Sequence, residues 1–241
     1  VIDVTAMNQQ THVAGGDFSL GVDALDIGVS IDTMAGKVGF VLKNDTSNNI
    51  QAIDLNDPSA PSTIGSAIND ALVTGLGGYT GAADPLANAV DIMVKGPYMY
   101  ILSGDVNTST QGQITVLDIT NPGTPVFVDS YQNAQILNAT SMDMTATGQL
   151  VVVTDNGPNG TLVQFDVNAN GTFAGVHGAP INTHAALMGA GDVVIHGDYA
   201  YITTSNTGAE IQLVDISGAN PLLGGTLNLQ GSYALSVNPQ D

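Results

Sequence analysis

Short apolar runs separated by polar turns fill the chain, and one of these runs occurs five times. Each copy has an aspartate between mostly apolar residues, and the five copies are residues 1–4, 52–55, 116–119, 164–167 and 213–216. Their aspartates are 51, 64, 48 and 49 residues apart. Nearly regular spacing of this length predicts repeated structural units that bury their apolar faces against one another.

A second pattern lies between these copies and predicts β-hairpins. It consists of two short runs, the first with an aspartate and the second strongly apolar, around a glycine-containing turn. The pairs of runs are residues 30–32 with 38–41, 90–92 with 98–101, 142–144 with 150–153, and 192–194 with 199–202. Each repeat of roughly 45 residues therefore contains four predicted strands, which is the size of one β-propeller blade.

Two segments resemble a known repeat. Residues 91–131 contain "DIMVKGPYMYIL" and "QITVLDITNPGTPVFVDSY", and residues 192–227 repeat the pattern with "DVVIHGDYAYIT" and "IQLVDISGANPLLGGTL". Both are similar to the LVIVD-type repeat of secreted bacterial and archaeal proteins, and residues 32–64 and 143–176 are weaker copies. The resemblance implies an all-β propeller of four-stranded blades. It implies no particular activity, because propellers host many unrelated functions.

The repeats predict a single propeller domain over residues 1–241. Its blades are expected at residues 24–68, 86–132, 138–178 and 187–230, with a split blade formed by residues 1–20 and 232–241. About five blades are therefore represented. They form either a closed five-bladed ring, completed by both ends of the chain, or part of a six- to eight-bladed propeller.

Charge and composition narrow the expected partners and location. The chain has 22 acidic residues, three lysines and a formal net charge of −19, so binding to nucleic acid is not expected. No apolar run is long enough for membrane insertion, and the absence of cysteine excludes disulfides and thiolate metal sites. Abundant Asn, Thr, Ser and Gly with so few lysines favours a secreted, extracellular or cell-surface protein, with the periplasm as an alternative location.

The largest departure from the repeat is residues 67–89, between the outer strand of one blade and the inner strand of the next. Such connections lie on the face where propellers place binding sites, which we call the mouth face, and long loops are often functional. The alternative is a tolerated surface insertion. Candidate ligand- or partner-binding residues on the mouth face are Asp70, Tyr79, Asp84, Asp105, Asp155 and His184.

The aspartates themselves have two predicted roles. Those of the five-fold run precede turns, where a carboxylate accepts hydrogen bonds from backbone N–H groups. The inner-strand aspartates Asp32, Asp91, Asp143 and Asp192, with Ser236 in the fifth copy, are predicted to ring the mouth of the central channel. This ring either binds a cation or accepts hydrogen bonds from the backbone of the neighbouring blade.

Calcium is the one ion for which a motif is present. Asp166, Asn168 and Asn170, followed by a glycine, match the first half of a calcium-binding loop, whose oxygen ligands suit Ca²⁺. The glutamate that completes such a loop is missing, because position 177 is His177. An ordinary Asn-Gly turn explains the same residues equally.

These observations predict a non-enzymatic extracellular or cell-surface scaffold or binding module, stabilised by Ca²⁺, with a protein partner or assembly neighbours. The alternative is a secreted hydrolase or metal-dependent oxidoreductase with its site at the channel mouth. No nucleophile elbow is present, and the four histidines do not recur with the blade.

Overall fold

The computed structural model describes residues 2–3, 11–12, 24–43, 50–57, 59–106 and 110–228. Within these ranges the protein is almost entirely β-structure, with one short α-helix, α1 (Asp70–Gly75), and two 3-10 helices, Ala134–Ile136 and Ala185–Leu187. No helix in these ranges is long and apolar enough to cross a membrane. The strands are β1 (Ile2–Asp3), β2 (Thr11–His12), β3 (Ala24–Thr33), β4 (Gly36–Lys43), β5 (Ile50–Asp54), β6 (Ser62–Ile68), β7 (Ala89–Lys95), β8 (Tyr98–Ser103), β9 (Gly112–Asp118), β10 (Val126–Asn133), β11 (Ala139–Met144), β12 (Gln149–Asp155), β13 (Gly160–Val167), β14 (Phe173–Val176), β15 (Ile181–His184), β16 (Val193–His196), β17 (Tyr199–Thr203), β18 (Ile211–Asp215) and β19 (Leu222–Leu227).

Four antiparallel sheets follow one another along the chain, and we call them blades 1 to 4. They are β3–β6, β7–β10, β11–β14 with β15 added beside β13, and β16–β19. Within each blade, strands adjacent in sequence pair with each other, except that β15 pairs with β13 and not with β14. The first strands of successive blades contact one another, which places them at the inner edge. The prediction of an all-β propeller architecture with four-stranded blades is confirmed.

Each blade packs on the next through apolar side chains. We call the face toward the following blade the forward face and the opposite one the backward face. Phe40 and Ile50 on the forward face of blade 1 share a cluster with Ile92 and Met99 on the backward face of blade 2. Successive side chains along a strand point to opposite faces, so a strand buried on both faces is apolar throughout. This explains runs such as residues 98–102.

The same arrangement recurs at the next two interfaces. Tyr100 and Ile114 on the forward face of blade 2 pack with Met142 and Phe165 of blade 3. The forward face of blade 3 then packs with the backward face of blade 4. That third cluster contains Val151, Val153, Leu162, Val193, Ala200, Ile202 and Val214.

The insert at residues 67–89 is folded against the core. Its helix α1 begins after Asn69, whose side-chain oxygen accepts a 2.9 Å hydrogen bond from the backbone N–H of Leu72. Val73 and Leu86 are completely buried in the cluster between blades 1 and 2. The insert therefore adds apolar side chains to an interface between two blades.

The predicted split blade lies almost wholly outside the described residues, as does Ser236. What is described is a two-stranded pairing of β1 with β2, in which Asp3 lies opposite Thr11. The corresponding aspartates of blades 1, 2 and 4 also lie opposite the first residue of the following strand. These pairs are Asp54 with Ser62, Asp118 with Val126, and Asp215 with Leu222.

Candidate functional site

A polar cavity of about 160 Å³ opens where the first strands of the four blades begin. We call it the axial pocket. Each blade contributes two consecutive residues to its lining, which are Leu25 and Asp26, Val90 and Asp91, Thr140 and Ser141, and Gly191 and Asp192. The second residue of each pair occupies an equivalent place, which we call the axial position.

Strand pairing shows that these positions are equivalent. Asp26 lies opposite Leu42, Asp91 opposite Leu102, and Ser141 opposite Val153. Asp192 takes the same place in blade 4, because its carbonyl accepts a hydrogen bond from the backbone N–H of Thr203 and its own N–H donates to the Thr203 hydroxyl.

The sequence analysis therefore assigned the wrong residue to the axial position in two of the four described blades. Strand β3 starts at Ala24, six residues earlier than the inner run taken from the sequence, so Asp26 and not Asp32 occupies the axial position. In blade 3 the axial residue is Ser141, and Asp143 lies two residues further along the strand. The assignments of Asp91 and Asp192 agree with the structure.

The axial side chains connect each blade to the next. The Oδ2 atom of Asp26 accepts a 2.8 Å hydrogen bond from the backbone N–H of Ile92, and Oδ2 of Asp91 accepts a 2.7 Å bond from that of Met142. The Ser141 hydroxyl accepts a longer bond, 3.4 Å, from the backbone N–H of Val193. In each case the donor is the residue that follows the next axial position.

A fourth contact extends this pattern below the axial pocket. The Oδ2 atom of Asp143 accepts a 2.7 Å hydrogen bond from the backbone N–H of Ile195 in the following blade. Burial raises the pKa of Asp143, while the N–H groups of Ile195 and Met144 oppose that rise. Of the two predicted roles for inner-strand aspartates, these hydrogen bonds support acceptance from the neighbouring blade.

The axial carboxyl groups also interact with one another, both through Ser141 and directly between Asp26 and Asp91. The Ser141 hydroxyl lies 3.1 Å from Oδ2 of Asp91 and 3.0 Å from Oδ1 of Asp192. Burial, together with the neighbouring Asp26 carboxyl, raises the pKa of Asp91 to about 8. The raised pKa favours the protonated form of Asp91, whose carboxyl group forms a hydrogen bond with Asp26. The Ser141 hydroxyl has one proton, so it donates to either Asp91 or Asp192 at any one time.

Three of the predicted binding residues come together in the insert. The Oδ1 atom of Asp70 accepts a 2.7 Å hydrogen bond from the backbone N–H of Leu86. Burial raises the pKa of Asp70, and the nearby charge of Asp84 adds to that rise. The Tyr79 hydroxyl donates a 2.7 Å bond to the carbonyl of Ala82, and burial raises the Tyr79 pKa.

The other three predicted binding residues are distributed over two blades. Asn88 donates a side-chain hydrogen bond to the carbonyl of Asp105. Asp155 accepts one from the backbone N–H of Gly157, and Nδ1 of His184 accepts one from that of Ala186. Asp155 and His184 both lie opposite Gly160, on the two sides of β13. Asp155 and His184 thus flank β13 of blade 3, whereas Asp105 lies beside the insert.

Sequence reasoning missed a buried polar network beneath the insert. The Gln113 side chain accepts hydrogen bonds from the backbone N–H of Ala82 and from Gln132, and it donates to the hydroxyls of Tyr79 and Thr115. Gln113 is completely buried. The available signal was a glutamine inside the apolar run 112–118, where an unpaired amide would be costly.

The predicted calcium ligands form a turn held by side chains. Asp166 lies 2.9 Å from Nδ1 of His177, and Asn170 accepts hydrogen bonds from the N–H and hydroxyl of Thr172. Asn168 donates to the same hydroxyl. Across the part of the chain that the structure describes, no group of three or more His, Asp or Glu side chains is arranged to bind a metal. Calcium binding by this turn stays a prediction.

Consecutive antiparallel blades, joined at their inner strands by a repeated hydrogen-bond pattern, define a propeller-type repeat protein. Residues 87–133 and 189–234 match the LVIVD repeat. These segments contain blades 2 and 4, so the LVIVD resemblance noted from the sequence is confirmed. No curated protein matches the chain.

Solved structures share the fold at very low identity. A protein from Lactobacillus plantarum matches with a TM-score of 0.55 and 12% identity, over 88% of this chain and 57% of its own. A candidate 6-phosphogluconolactonase from Bacteroides fragilis matches with a TM-score of 0.57 and 14% identity, over 84% of this chain and 55% of its own. A DUF4623 family protein from Bacteroides eggerthii matches with a TM-score of 0.52 and 11% identity, over 84% of this chain and 45% of its own. The alignments thus cover about half of each of these structures.

Proposed function

We propose that this protein is a secreted or cell-surface propeller that acts as a rigid scaffold and protein-binding module. The main support for this proposal is that polar side chains at the axial pocket hydrogen-bond to the neighbouring blade. Asp26, Asp91 and Ser141 accept backbone hydrogen bonds from the neighbouring blade. Groups held in this way stiffen the blade array, and a stiff array presents loops in fixed positions.

The surface chemistry favours a cationic partner. The chain has a net charge of −19 and three lysines, and such a charge attracts cationic surfaces over a distance set by salt. Asp84, Asp105 and Asp155 lie at the end of the blades that also holds the insert and the axial pocket. Acidic side chains in these mouth-face loops can attract a cationic partner without being arranged for catalysis.

Matched charge variants test where the partner binds. The variant Asp84→Asn/Asp155→Asn removes two charges at the mouth face, and Asp198→Asn/Asp215→Asn removes two at the opposite end. In each pair one aspartate is exposed and the other accepts a turn N–H. The affinity for an immobilised lysine-rich peptide, measured by biolayer interferometry, should fall at least threefold more in the mouth-face variant than in the variant at the opposite end. Equal loss for both pairs would mean that net charge alone drives binding.

Calcium is proposed as a stabilising ion at residues 166–171. Addition of millimolar CaCl₂, but not MgCl₂, should raise the melting temperature, because an ion that binds only the folded state stabilises it. Asp166→Asn should abolish the rise. Asp118→Asn, which changes the equivalent aspartate of blade 2, should not. An unchanged melting temperature of the parent protein in CaCl₂ would remove calcium from the proposal.

The extracellular location has its own test. Protease treatment of intact source cells should digest the protein, while a cytoplasmic marker in the same cells stays intact. Detection of the protein only after cell lysis would contradict the proposed location. Secretion into the medium, detected by immunoblot of the cell-free supernatant, would agree with it.

A hydrolase is the second candidate, favoured by one observation. The Asp91 carboxyl, whose pKa is raised, lies beside Asp26 at the edge of a cavity, and a carboxyl group with a raised pKa can act as a general acid. One structural relative is described as a candidate lactonase. Assays of δ-gluconolactone and 6-phosphogluconolactone hydrolysis test this. Turnover that Asp91→Asn abolishes would replace the scaffold proposal, whereas equal rates for parent and variant would not.

A further inference from the structure

The forward face of blade 4 is apolar and partly exposed. Tyr201, Ile211, Leu213 and Leu227 line a shallow cavity of about 280 Å³ on this face, and Leu227 is 55% exposed. Apolar side chains grouped in this way on a sheet indicate a surface that another element covers.

The equivalent positions of blade 1 are covered. Tyr201 lies opposite Leu213 as Phe40 lies opposite Ala52, and Phe40 is completely buried. The equivalent of Leu227 in blade 1 is Ile68, because each pairs with the first residue of its blade's third strand, and Ile68 is 1% exposed. In blades 1 to 3 the cover is the next blade, so the partly exposed forward face of blade 4 has the chemistry of a blade interface.

The sequence contains a candidate for that cover. Each described blade has, in its first strand or directly before it, alanine, any residue, the axial Asp or Ser, and an aliphatic residue or methionine. The four copies are Ala-Leu-Asp-Ile at 24–27, Ala-Val-Asp-Ile at 89–92, Ala-Thr-Ser-Met at 139–142 and Ala-Gly-Asp-Val at 190–193. A fifth copy, Ala-Leu-Ser-Val, occupies residues 234–237. It begins seven residues after β19 ends, and β11 begins six residues after β10 ends.

We propose that residues 234–237 dock on the forward face of blade 4 as the first strand of a further blade. Ser236 then takes the axial position, and Val237 packs as Ile92, Met142 and Val193 do. The N–H of Val237 donates to the Asp192 side chain, as those of Ile92 and Met142 donate to Asp26 and Asp91. This inference goes beyond the proposed function and does not depend on it.

Disulfide trapping tests the register, because the chain has no cysteine of its own. The test variant is Asp192→Cys/Val237→Cys. Its matched control is Asp26→Cys/Ile92→Cys, which places cysteines at the same two positions of a described interface and also removes one axial carboxylate. After mild oxidation, intramolecular disulfide should form in both to within about twofold, measured by peptide mass spectrometry. Asp192→Cys/Asp241→Cys, four residues out of register, should cross-link about tenfold less.

Two outcomes would overturn the proposal. A test pair that cross-links no more than the out-of-register pair, while the control pair closes, would show that 234–237 lie elsewhere. Disulfide-linked dimers on a non-reducing gel would assign the face to a second copy. Hydrogen exchange on the unsubstituted chain provides an independent measurement. A peptide spanning residues 234–238 should exchange at least tenfold more slowly than an unstructured one, and fast exchange would also refute the docking.

Discussion

The Asp91 carboxyl belongs to a run of hydrogen bonds that crosses the interfaces between blades. It receives the N–H of Met142, lies beside Ser141 and forms a hydrogen bond with Asp26. A carboxyl group placed like this is most stable when protonated, because its immediate neighbours include another carboxyl group. Its protonation therefore affects how firmly blades 1, 2 and 3 are held.

The pH dependence of stability should report this group. The pKa of Asp91 is raised in the folded protein, so the folded state keeps a proton that the unfolded chain loses near pH 4. That contribution to stability is complete below about pH 4 and is lost as the pH rises toward about 8. Asp91→Asn supplies a permanent N–H donor to Asp26. We expect the fall in melting temperature between pH 5 and 8 to be shallower in this variant.

An exposed aspartate serves as the control for this measurement. Asp198 lies in the hairpin turn between β16 and β17 and is exposed. Asp198→Asn should leave the slope of melting temperature against pH as in the parent protein, measured by calorimetry. Parallel curves for Asp91→Asn and the parent would contradict the raised pKa of Asp91.

Gln113 is the residue on which the insert depends most. It accepts the backbone N–H of Ala82 and donates to the Tyr79 hydroxyl. Gln113→Ala leaves that N–H without its acceptor, which should lower the free energy of unfolding by about 2 kcal/mol. Hydrogen exchange should quicken in residues 76–83. Gln135→Ala, in the connection between blades 2 and 3, should change neither, and unchanged exchange in Gln113→Ala would disprove the anchoring role.

At the scale of secondary-structure elements, a glycine starts the third strand in blades 2 and 3. A Cβ atom on Gly112 would overlap the carbonyl of Ile136, and one on Gly160 would overlap that of Leu187. Both carbonyls belong to short 3-10 helices, which follow β10 in blade 2 and β15 in blade 3. Close approach of backbone to backbone therefore requires glycine at these two positions.

Substitution of this glycine tests the close approach. Gly112→Ala should lower the free energy of unfolding by about 2–3 kcal/mol, because either the strand or the 3-10 helix must move. Chemical denaturation measures the loss. Gly77→Ala adds a methyl group where no atom lies within 4 Å and serves as the control. If both variants have the same free energy of unfolding, the 3-10 helix can move to accommodate the added methyl group without loss of stability.

Strand β3 shows which features of a strand can be predicted from sequence and which cannot. The apolar runs identified the hairpin of blade 1, and the structure confirms that β3 pairs with β4. However, β3 is ten residues long and its exposed residues include Ile27 and Val29. Local sequence does not distinguish which aspartate reaches the axial position, because that depends on how the next blade packs against the strand.

At the scale of the whole molecule, negative charge opposes the compact state. The net charge is −19, with three lysines to offset it. Raising NaCl from 0.01 M to 0.3 M shortens the distance over which charges interact from about 30 Å to under 10 Å. The melting temperature should therefore rise with salt. Asp84→Lys/Asp198→Lys, which reduces the net negative charge by four, should show a smaller rise, and a fall with salt would contradict this electrostatic account.

The sequence by itself determined the repeating unit, the four-stranded blade and the turn roles of Asp54, Asp118 and Asp215, each of which accepts a backbone N–H two residues on. These follow from local rules, because strand periodicity and turn chemistry are properties of a few neighbouring residues. Tertiary structure alone decided that Asp26 and Ser141 complete the axial positions, that Gln113 anchors the insert, and that the pKa of Asp91 is raised. Each of these depends on groups distant in sequence that packing brings within hydrogen-bonding distance.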